Sequence, residues 1–514
     1  MHRREFVRLS ALGAAALALP RITFADDIQL EELTIAQMQR FSARALTEAY
    51  LRRIEAFDRN QIRSMIELNP DALAIADALD GERKAGHVRG PLHGIPIVIK
   101  DNIDTADRMA TSAGSLALAE HIAGSDAHIV RRLREAGAVL LGKTNLSEWA
   151  NFRSTKSTSG WSGRGGLTRN PYALDRNCCG SSSGTGAAIA ASFAAVGVGT
   201  ETDGSIVCPS SSCGLVGVKP MLGLISRSGI IPIAHSQDTS GPMTRTVTDA
   251  AILLGAMTGI DSLDAITSTS RGHAHADYTQ FLDANGLRSA RIGVARQYFD
   301  VNDHVKKVMD SALDTLRQLG ATLIDPVEMK SHGKYNDSEF EVLLYEFKTD
   351  INVYLANTKV KTRTLADLIK FNEENREREM PYFGQEIFVQ AQEKGSLTDA
   401  AYKKALAKNH RLSRNEGIDA VMKQHKLDAL IAPTGSPVWT TDLVNGDHYV
   451  GGYSSASAVS GYPHITVPAG SAFGLPVGLS FFADAWSEPA LLKYAFAFEQ
   501  ATKARKAPEF RATV

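Results

Sequence analysis

A strand, helix and strand pattern between residues 95 and 141 constrains the fold of this chain more than any other stretch. The apolar, β-branched run at residues 95–99 predicts a buried strand that ends at Lys100. A helix is expected over residues 125–135, followed by a second buried strand at residues 138–141. This order and spacing are typical of the βαβ unit of a parallel or mixed sheet. The predicted fold class is therefore α/β, with a large mixed sheet covered by helices on both faces.

The same alternation continues along the chain without an internal repeat. We expect an N-terminal helical layer over about residues 30–86 and a charged helical insertion over about residues 330–420. The run Glu373 to Glu379 in that insertion is interpreted as a solvated outer face. Helices are also expected at residues 187–198, 246–255 and 302–319, and strands or turns at 214–220, 222–225, 230–233, 290–295, 321–324, 427–432 and 465–467. These elements predict a single domain over residues 26–514.

The charge balance argues against a polyanionic partner. The 514 residues carry a formal net charge of -1, with 22% charged and 44% hydrophobic residues. These values are typical of a soluble globular protein with a large core. We therefore expect no nucleic-acid partner.

The first 25 residues have the layout of an export signal. Basic residues precede Phe6, an Ala-rich apolar run covers residues 9–20, and Ala25 offers a small residue at the expected cut. The pair Arg3-Arg4 resembles the twin-arginine class, which makes that export machinery a candidate partner. The alternative is a basic amphipathic helix of the mature fold, although the apolar run has almost no polar face. We expect a bacterial periplasmic protein that has no stable membrane association once the signal is removed.

All four cysteines lie near one segment. They are Cys178, Cys179, Cys208 and Cys213, and their spacing is not that of a metal site. The adjacent pair cannot easily bond to each other. Two interpretations stay open, namely small buried hydrophobic residues or a disulfide between one of the pair and Cys208 or Cys213.

Two polar, glycine-bearing motifs stand in this same segment. The first is CGSSSGTG at residues 179–186, which opens a predicted helix, and the second is GTETDGSI at residues 199–206. Taken singly, Lys100 could be a strand-end lysine whose ammonium reaches solvent, Ser181 a helix N-cap and Ser205 a turn residue. Their occurrence in matching motifs favours a catalytic interpretation.

These motifs resemble those of the amidase signature family. The resemblance rests on GIP followed by Lys100, on CGSSSGTG, on GTETDGSIVCPSSSCGLVGVKP, and on GYPHITVPAG and GLPVGL near the C-terminus. Its diagnostic region spans about residues 91–254. The resemblance implies the amidase signature fold and a Ser, cis-Ser, Lys triad, with Ser205 as nucleophile, Ser181 as bridging serine and Lys100 as base. It also implies an oxyanion hole made of the backbone N-H groups of Thr202, Asp203, Gly204 and Ser205.

Physical chemistry supports these roles. A serine hydroxyl needs an adjacent base, and a lysine serves as one only when burial or a positive dipole lowers its pKa enough to leave it neutral. Lys100 ends an apolar strand, and Ser181 precedes a helix N-terminus. The family usually has Gly at the position of Asp203, and we expect that side chain to point away from the oxyanion or toward substrate. No metal or cofactor is expected.

The implied reaction is hydrolysis of a carboxylic amide to the acid and ammonia through an acyl-enzyme, with water as second substrate. The segment from Thr144 to Arg153, the CGSSSG form and GTETDGSIVCP are most similar to the peptide amidases, which remove the C-terminal amide of peptides. Three alternatives remain. They are an aryl acylamidase or broad amide and ester hydrolase, one component of an amidotransferase, and an inactive binding protein.

Overall fold

The computed structural model describes residues 28–514. The predicted signal at residues 1–25 lies outside the described residues and stays a prediction. No helix in the described part of the chain is both long enough and apolar enough to cross a bilayer.

A large mixed β-sheet forms the centre of the protein. The strands of the described residues are β1 Met65–Leu68, β2 Pro96–Lys100, β3 Val139–Thr144, β4 Trp161–Ser162, β5 Gly166–Leu167, β6 Val196–Glu201, β7 Val216–Lys219, β8 Thr239–Thr244, β9 Arg291–Ala295, β10 Thr322–Val327, β11 Ala429–Pro433, β12 His464–Ala472 and β13 Leu475–Phe482. Strands β4 and β5 make a small separate hairpin. In residues 28–514 the other strands form an 11-stranded sheet in the order β1-β3-β2-β6-β8-β7-β12-β13-β11-β9-β10.

Helices cover this sheet. They are α1 Ile35–Met38, α2 Ala43–Phe57, α3 Ala72–Lys84, α4 His128–Glu135, α5 Ser183–Ala190, α6 Val207–Ser212, α7 Val247–Met257, α8 Asp303–Gln318, α9 Asn336–Ala356, α10 Leu365–Glu374, α11 Arg376–Glu379, α12 Glu386–Gln392, α13 Ala400–His410, α14 Asp419–His425, α15 Ser455–Ser460 and α16 Glu488–Thr502. Helix α8 begins at an Asn302 cap and turns its apolar stripe inward. The predicted α/β class, with a large mixed sheet and covering helices, is confirmed.

Strands β2 and β6 place the functional segments side by side. They are parallel neighbours, with Ile97 opposite Val196 and Ile99 opposite Val198. These four side chains have no solvent exposure, as expected for strands that are covered on both faces. Because the strands are parallel, the segments that follow their carboxyl ends meet at one edge of the sheet. One of these ends carries Lys100.

The helix expected over residues 187–198 is only partly present. Helix α5 ends at Ala190, and Ser192 adopts a left-handed φ of 57° that ends the helical path. The second half of the run becomes β6, because it pairs with β2 on one side and β8 on the other. Of the strands or turns expected at residues 222–225 and 230–233, the structure forms turns and isolated bridges and no extended strand.

The helical insertion extends from α9 to α13, and apolar side chains of α9, α10 and α12 pack with Leu118, Trp149 and Ile231 in one buried cluster. Its charged run from Glu373 to Glu379 is exposed over most of its length, as the sequence predicts. Glu379 is the exception, because it is fully buried and accepts hydrogen bonds from Ser115 Oγ (3.1 Å) and the Leu116 N-H (2.6 Å). The insertion therefore contributes buried charge as well as a solvated face.

Candidate active site

Lys100 is a buried lysine with three polar contacts. It is the last residue of β2 and has no solvent exposure. Its Nζ lies 2.7 Å from Ser181 Oγ, 2.9 Å from Thr200 Oγ1 and 3.3 Å from the Thr200 carbonyl oxygen. Thr200 belongs to β6, the neighbouring parallel strand. The sheet register therefore delivers the lysine to the serine.

Burial lowers the pKa of Lys100 to about 7, and the nearby carboxylates of Asp238 and Glu201 only partly oppose this shift. A neutral amine has a lone pair, so it can accept the Ser181 hydroxyl proton while its own N-H groups donate to Thr200. At neutral pH a large fraction of Lys100 is in this form. The environment thus meets the requirement for a lysine base.

Amide hydrolysis is expected to rise with pH through about 7, because the fraction of neutral Lys100 rises through its lowered pKa. Below this pKa, kcat/KM should fall about tenfold per pH unit. The measurement is kcat/KM between pH 5 and 9. A rate that stays level from acid to alkaline pH would contradict a base with this pKa.

Ser181 connects the lysine to the neighbouring segments. It is fully buried, and the peptide bond between Gly180 and Ser181 is cis. Its carbonyl oxygen accepts a hydrogen bond from the Ser147 N-H at 3.0 Å. The adjacent Ser182 N-H donates to the Ser205 carbonyl at 3.2 Å. The two serine motifs are therefore held together by a direct main-chain contact.

Ser205 lies in a tight turn between β6 and α6. Gly204 supplies the turn with a φ of 78°, a left-handed conformation that costs least in a glycine. The Ser205 side chain is nearly buried, with 8% of the residue exposed. Glu201 fixes the exit of the turn, because its Oε2 accepts the N-H groups of Ile206 (2.7 Å) and Val207 (3.0 Å).

The backbone N-H groups of this turn can bind an anion. Within residues 28–514, no backbone carbonyl accepts a hydrogen bond from the amides of Thr202, Asp203, Gly204 or Ser205. Consecutive unpaired amides in a turn can stabilise the oxyanion of a tetrahedral intermediate. The geometry thus brings together the residue set that the sequence predicts for the site, whose individual roles remain a prediction.

Comparison with known proteins identifies the family. The family model described as "Amidase" matches residues 45–492. The chain belongs to the amidase family. A probable amidase from Arabidopsis thaliana is 41% identical over 514 residues, covering 98% of this chain and 95% of that protein. The crystal structure of native peptide amidase from Stenotrophomonas maltophilia is 49% identical with a TM-score of 0.90, covering 94% of this chain and 99% of that one.

A third relative belongs to a different reaction class. It is one component of the glutamyl-tRNA(Gln) amidotransferase of Acinetobacter baylyi, and it is 36% identical over 475 residues, covering 90% of this chain and 93% of that protein. The predicted resemblance to the amidase signature family and to peptide amidase is confirmed. The enzyme is a hydrolase that acts on amide C-N bonds.

A disulfide in this amidase links the two serine motifs. Cys179 and Cys208 are bonded, with their Cα atoms 5.9 Å apart and a sequence separation of 29 residues. Cys179 stands two residues before Ser181, and Cys208 stands three residues after Ser205. Each of the two interpretations left open by the sequence therefore applies to two cysteines. Cys179 and Cys208 form a disulfide, whereas Cys178 and Cys213 are free and buried.

Removal of this disulfide in the variant Cys179→Ser/Cys208→Ser is expected to lower the free energy of unfolding by about 3 kcal/mol, the usual effect for a loop of this length. Thermal unfolding with and without dithiothreitol measures it. The wild type should lose stability on reduction, whereas the double variant should not respond. Four titratable thiols in the denatured, unreduced protein would contradict the bond.

Asp203 turns its side chain away from the amides of its own turn. Its Oδ2 accepts a hydrogen bond from Ser455 Oγ at 2.6 Å, and its carboxyl also contacts that of Glu339 in α9. The orientation resolves the conflict between a carboxylate and a developing oxyanion, because the charge is directed to other partners. The sequence predicts this orientation only as one of two alternatives.

The residues around the site differ in whether the sequence could have predicted them. Thr200 is predictable, since it stands in the second serine motif and β6 pairs with the strand of Lys100. Asp238, which accepts the Thr202 hydroxyl at 2.6 Å, and Glu339 come from distant segments without a motif. Only the folded chain brings them to the turn.

Proposed function

We propose that this amidase removes the C-terminal amide of peptides, with Ser205 as nucleophile, Ser181 as bridging serine and Lys100 as base. The observation that carries the proposal is the 2.7 Å contact between Lys100 Nζ and Ser181 Oγ, in a site where burial lowers the lysine pKa to about 7. The choice of substrate rests on the similarity to the peptide amidase of Stenotrophomonas maltophilia.

The proposed reaction moves one proton back and forth along the relay. Ser205 Oγ attacks the amide carbonyl carbon while its proton passes through the Ser181 hydroxyl to Lys100 Nζ. The turn amides bind the oxyanion of the tetrahedral intermediate. The C-N bond then breaks as the proton returns through Ser181 to the leaving nitrogen, and ammonia departs. A water molecule attacks the Ser205 ester by the same route, releasing the acid and the free serine.

A substrate panel tests the choice of amide. Ammonia release is measured for peptide amides and free glutamine, and acid release for aryl acylamides and simple esters. We expect the highest kcat/KM for peptide amides, with the same rate in the presence of a chelator, because the relay uses only side chains of this chain. Preference for an aryl acylamide or an ester would support the broad hydrolase alternative, and turnover of glutamine alone would support the amidotransferase alternative.

We further propose that the mature enzyme works in the bacterial periplasm. The support is the basic and apolar pattern of residues 1–25, with Arg3-Arg4 as a twin-arginine signal. Fractionation of the native host followed by N-terminal sequencing tests this proposal. A shortened chain in the periplasmic fraction is the expected result, and an uncut chain in the cytoplasm would overturn it.

A further inference from the structure

Two carboxyl groups face each other beside the nucleophile turn. One is Asp203, which lies two residues before Ser205, and the other is Glu339 in the first turn of α9. Glu339 is 8% exposed, and its carboxyl is hydrogen-bonded to that of Asp203. A carboxyl-carboxyl hydrogen bond requires a proton on one partner, because two carboxylates have only acceptors.

The remaining contacts indicate where this proton lies. Asp203 Oδ2 is occupied by the Ser455 hydroxyl, whereas its Oδ1 is buried and meets no N-H or hydroxyl donor from residues 28–514. Glu339 Oε1 accepts a hydrogen bond from Gln237 Nε2 at 3.0 Å. A proton on the other oxygen of Glu339 supplies the donor that Asp203 otherwise lacks, and it removes the repulsion between two buried charges.

The electrostatic environment agrees with this assignment. Burial, and secondly the negative charge of Asp203, raise the pKa of Glu339 well above its usual value. Such a coupled pair keeps its shared proton until the pH exceeds the raised pKa of Glu339.

Glu339 also contacts the turn by a second route. The same Gln237 Nε2 that donates to Glu339 lies 3.2 Å from the Thr202 carbonyl oxygen. Thr202 and Asp203 are consecutive residues of the turn whose amides form the expected oxyanion hole. Glu339 is therefore linked to the main chain of Thr202 and to the side chain of Asp203.

We propose that Glu339 is a positioning residue, which in its protonated form holds the amides of the nucleophile turn in their productive orientation through Asp203 and Gln237. The proposal deepens the proposed function and rests on it, since it assumes that Ser205 and this turn carry out amide hydrolysis. It predicts that kcat rises with pH as Lys100 loses its proton and falls again once the pH exceeds the raised pKa of Glu339.

Other titratable groups lie near the pair, and their ionisation has to be distinguished from that of Glu339. Tyrosines surround Asp203, and burial together with neighbouring charge raises the pKa of each above its usual value; they are Tyr298, Tyr335, Tyr449 and Tyr453. Asp238, which contacts Thr202, has its pKa raised by burial to about 6, so it titrates on the acid side. Helix α13 presents the uncharged Asn409 to the neighbouring Ser338 carbonyl. Lys219 is the group near Asp203 that also titrates on the alkaline side, because burial lowers its pKa to about 8, and the variants at Glu339 distinguish its effect from that of Glu339.

The variant Glu339→Gln keeps a hydrogen-bond donor at this position but cannot ionise. Its amide nitrogen donates to Asp203 at every pH, and its amide oxygen still accepts from Gln237. We expect the alkaline fall in kcat to disappear. The variant Glu339→Leu cannot donate, so kcat should fall by roughly 10²-fold at every pH, the usual effect of losing one oxyanion-hole donor, with little change in KM.

The matched control is Glu341→Gln, two residues further along α9. Glu341 pairs with Lys394 at 2.7 Å on the partly exposed face of the insertion, so this variant should keep the wild-type profile. An alkaline fall that persists in Glu339→Gln, or Glu339→Leu with wild-type kcat, would overturn the proposal.

A stability measurement, which does not depend on turnover, tests this proposal independently of the proposed function. Because the folded pKa of Glu339 is raised, the folded state binds more protons than the unfolded state between the ordinary value of 4.5 and the folded pKa. The free energy of unfolding of the wild type should therefore decline with rising pH in this window relative to Glu339→Gln. Equal slopes would overturn the shared proton, whereas failure of the substrate panel alone would leave this decline in place.

Discussion

Replacement of Ser205 by alanine is expected to abolish amide hydrolysis, with kcat reduced by roughly 10⁴-fold or more, the scale of losing an activated nucleophile. The substitution removes the single oxygen that forms the acyl-enzyme. Its carbonyl still accepts the Ser182 N-H, so the turn should remain in place. Ammonia release under saturating peptide amide measures the loss.

Ser210→Ala is the matched control for this substitution. Ser210 lies in α6, five residues after Ser205, and its buried Oγ has no partner within the described residues. Loss of this hydroxyl should change neither turnover nor stability appreciably, because no hydrogen bond is lost. Full activity in Ser205→Ala would falsify the nucleophile assignment, and hydroxylamine trapping of an acyl product should succeed only when Ser205 is present.

Lys100→Met should lower kcat by roughly 10⁴-fold or more, because the relay then ends at Ser181 with no group to hold the proton. Methionine fills a similar volume, and an apolar side chain at this fully buried position removes a desolvated amine. We therefore expect the fold to be retained. Lys100→Arg should be equally inactive, since a guanidinium stays charged and cannot act as a base.

Lys143→Met is the control that distinguishes a catalytic role of Lys100 from the general effect of removing a buried lysine. Lys143 stands in β3, the strand parallel to β2, and is also fully buried, but its Nζ donates to the Ile103 carbonyl at 2.9 Å. This variant should lose stability without a comparable loss of kcat per folded molecule. Unfolding curves and active-site titration give both quantities. A kcat in Lys100→Met close to that of Lys143→Met would contradict the base assignment.

The sequence pattern predicts elements well where burial and periodicity agree. The strand that ends at Lys100 and the helix α8 are both correct, because each has one unambiguous apolar pattern. Strand β8 is not predicted, since its segment Thr239–Thr244 contains Gly241 and Pro242, which disfavour a central strand. Pairing with β6 and β7 overrides this preference, and a Cβ on Gly241 would lie 2.0 Å from the Val218 carbonyl oxygen.

The residues of the candidate site also differ in whether the sequence predicts them. Lys100, Ser181 and Ser205 stand in motifs, so the sequence predicts them together. The structure places Lys100 at the end of β2, Ser181 just before α5 and Ser205 in the turn after β6. Glu339 could not be found, because it lies in a charged helix whose pattern indicates an exposed face. Its burial depends on how α9 lies against the nucleophile turn, which is information held by the tertiary structure and not by local spacing.

The strand order has a consequence for how the enzyme becomes active during synthesis. Residues 65–244 form one half of the sheet and residues 291–482 the other, and among residues 28–514 the strand pairing that joins the two halves is that of β7 with β12. Lys100, Ser181 and Ser205 all belong to the first half, whereas Ser455, which donates a hydrogen bond to Asp203, is added roughly 250 residues after Ser205. A chain emerging from the ribosome therefore carries Ser205 long before Ser455 supports its turn. We therefore expect amide hydrolysis only from the finished chain, because the hydrogen bond from Ser455 to Asp203 cannot form earlier.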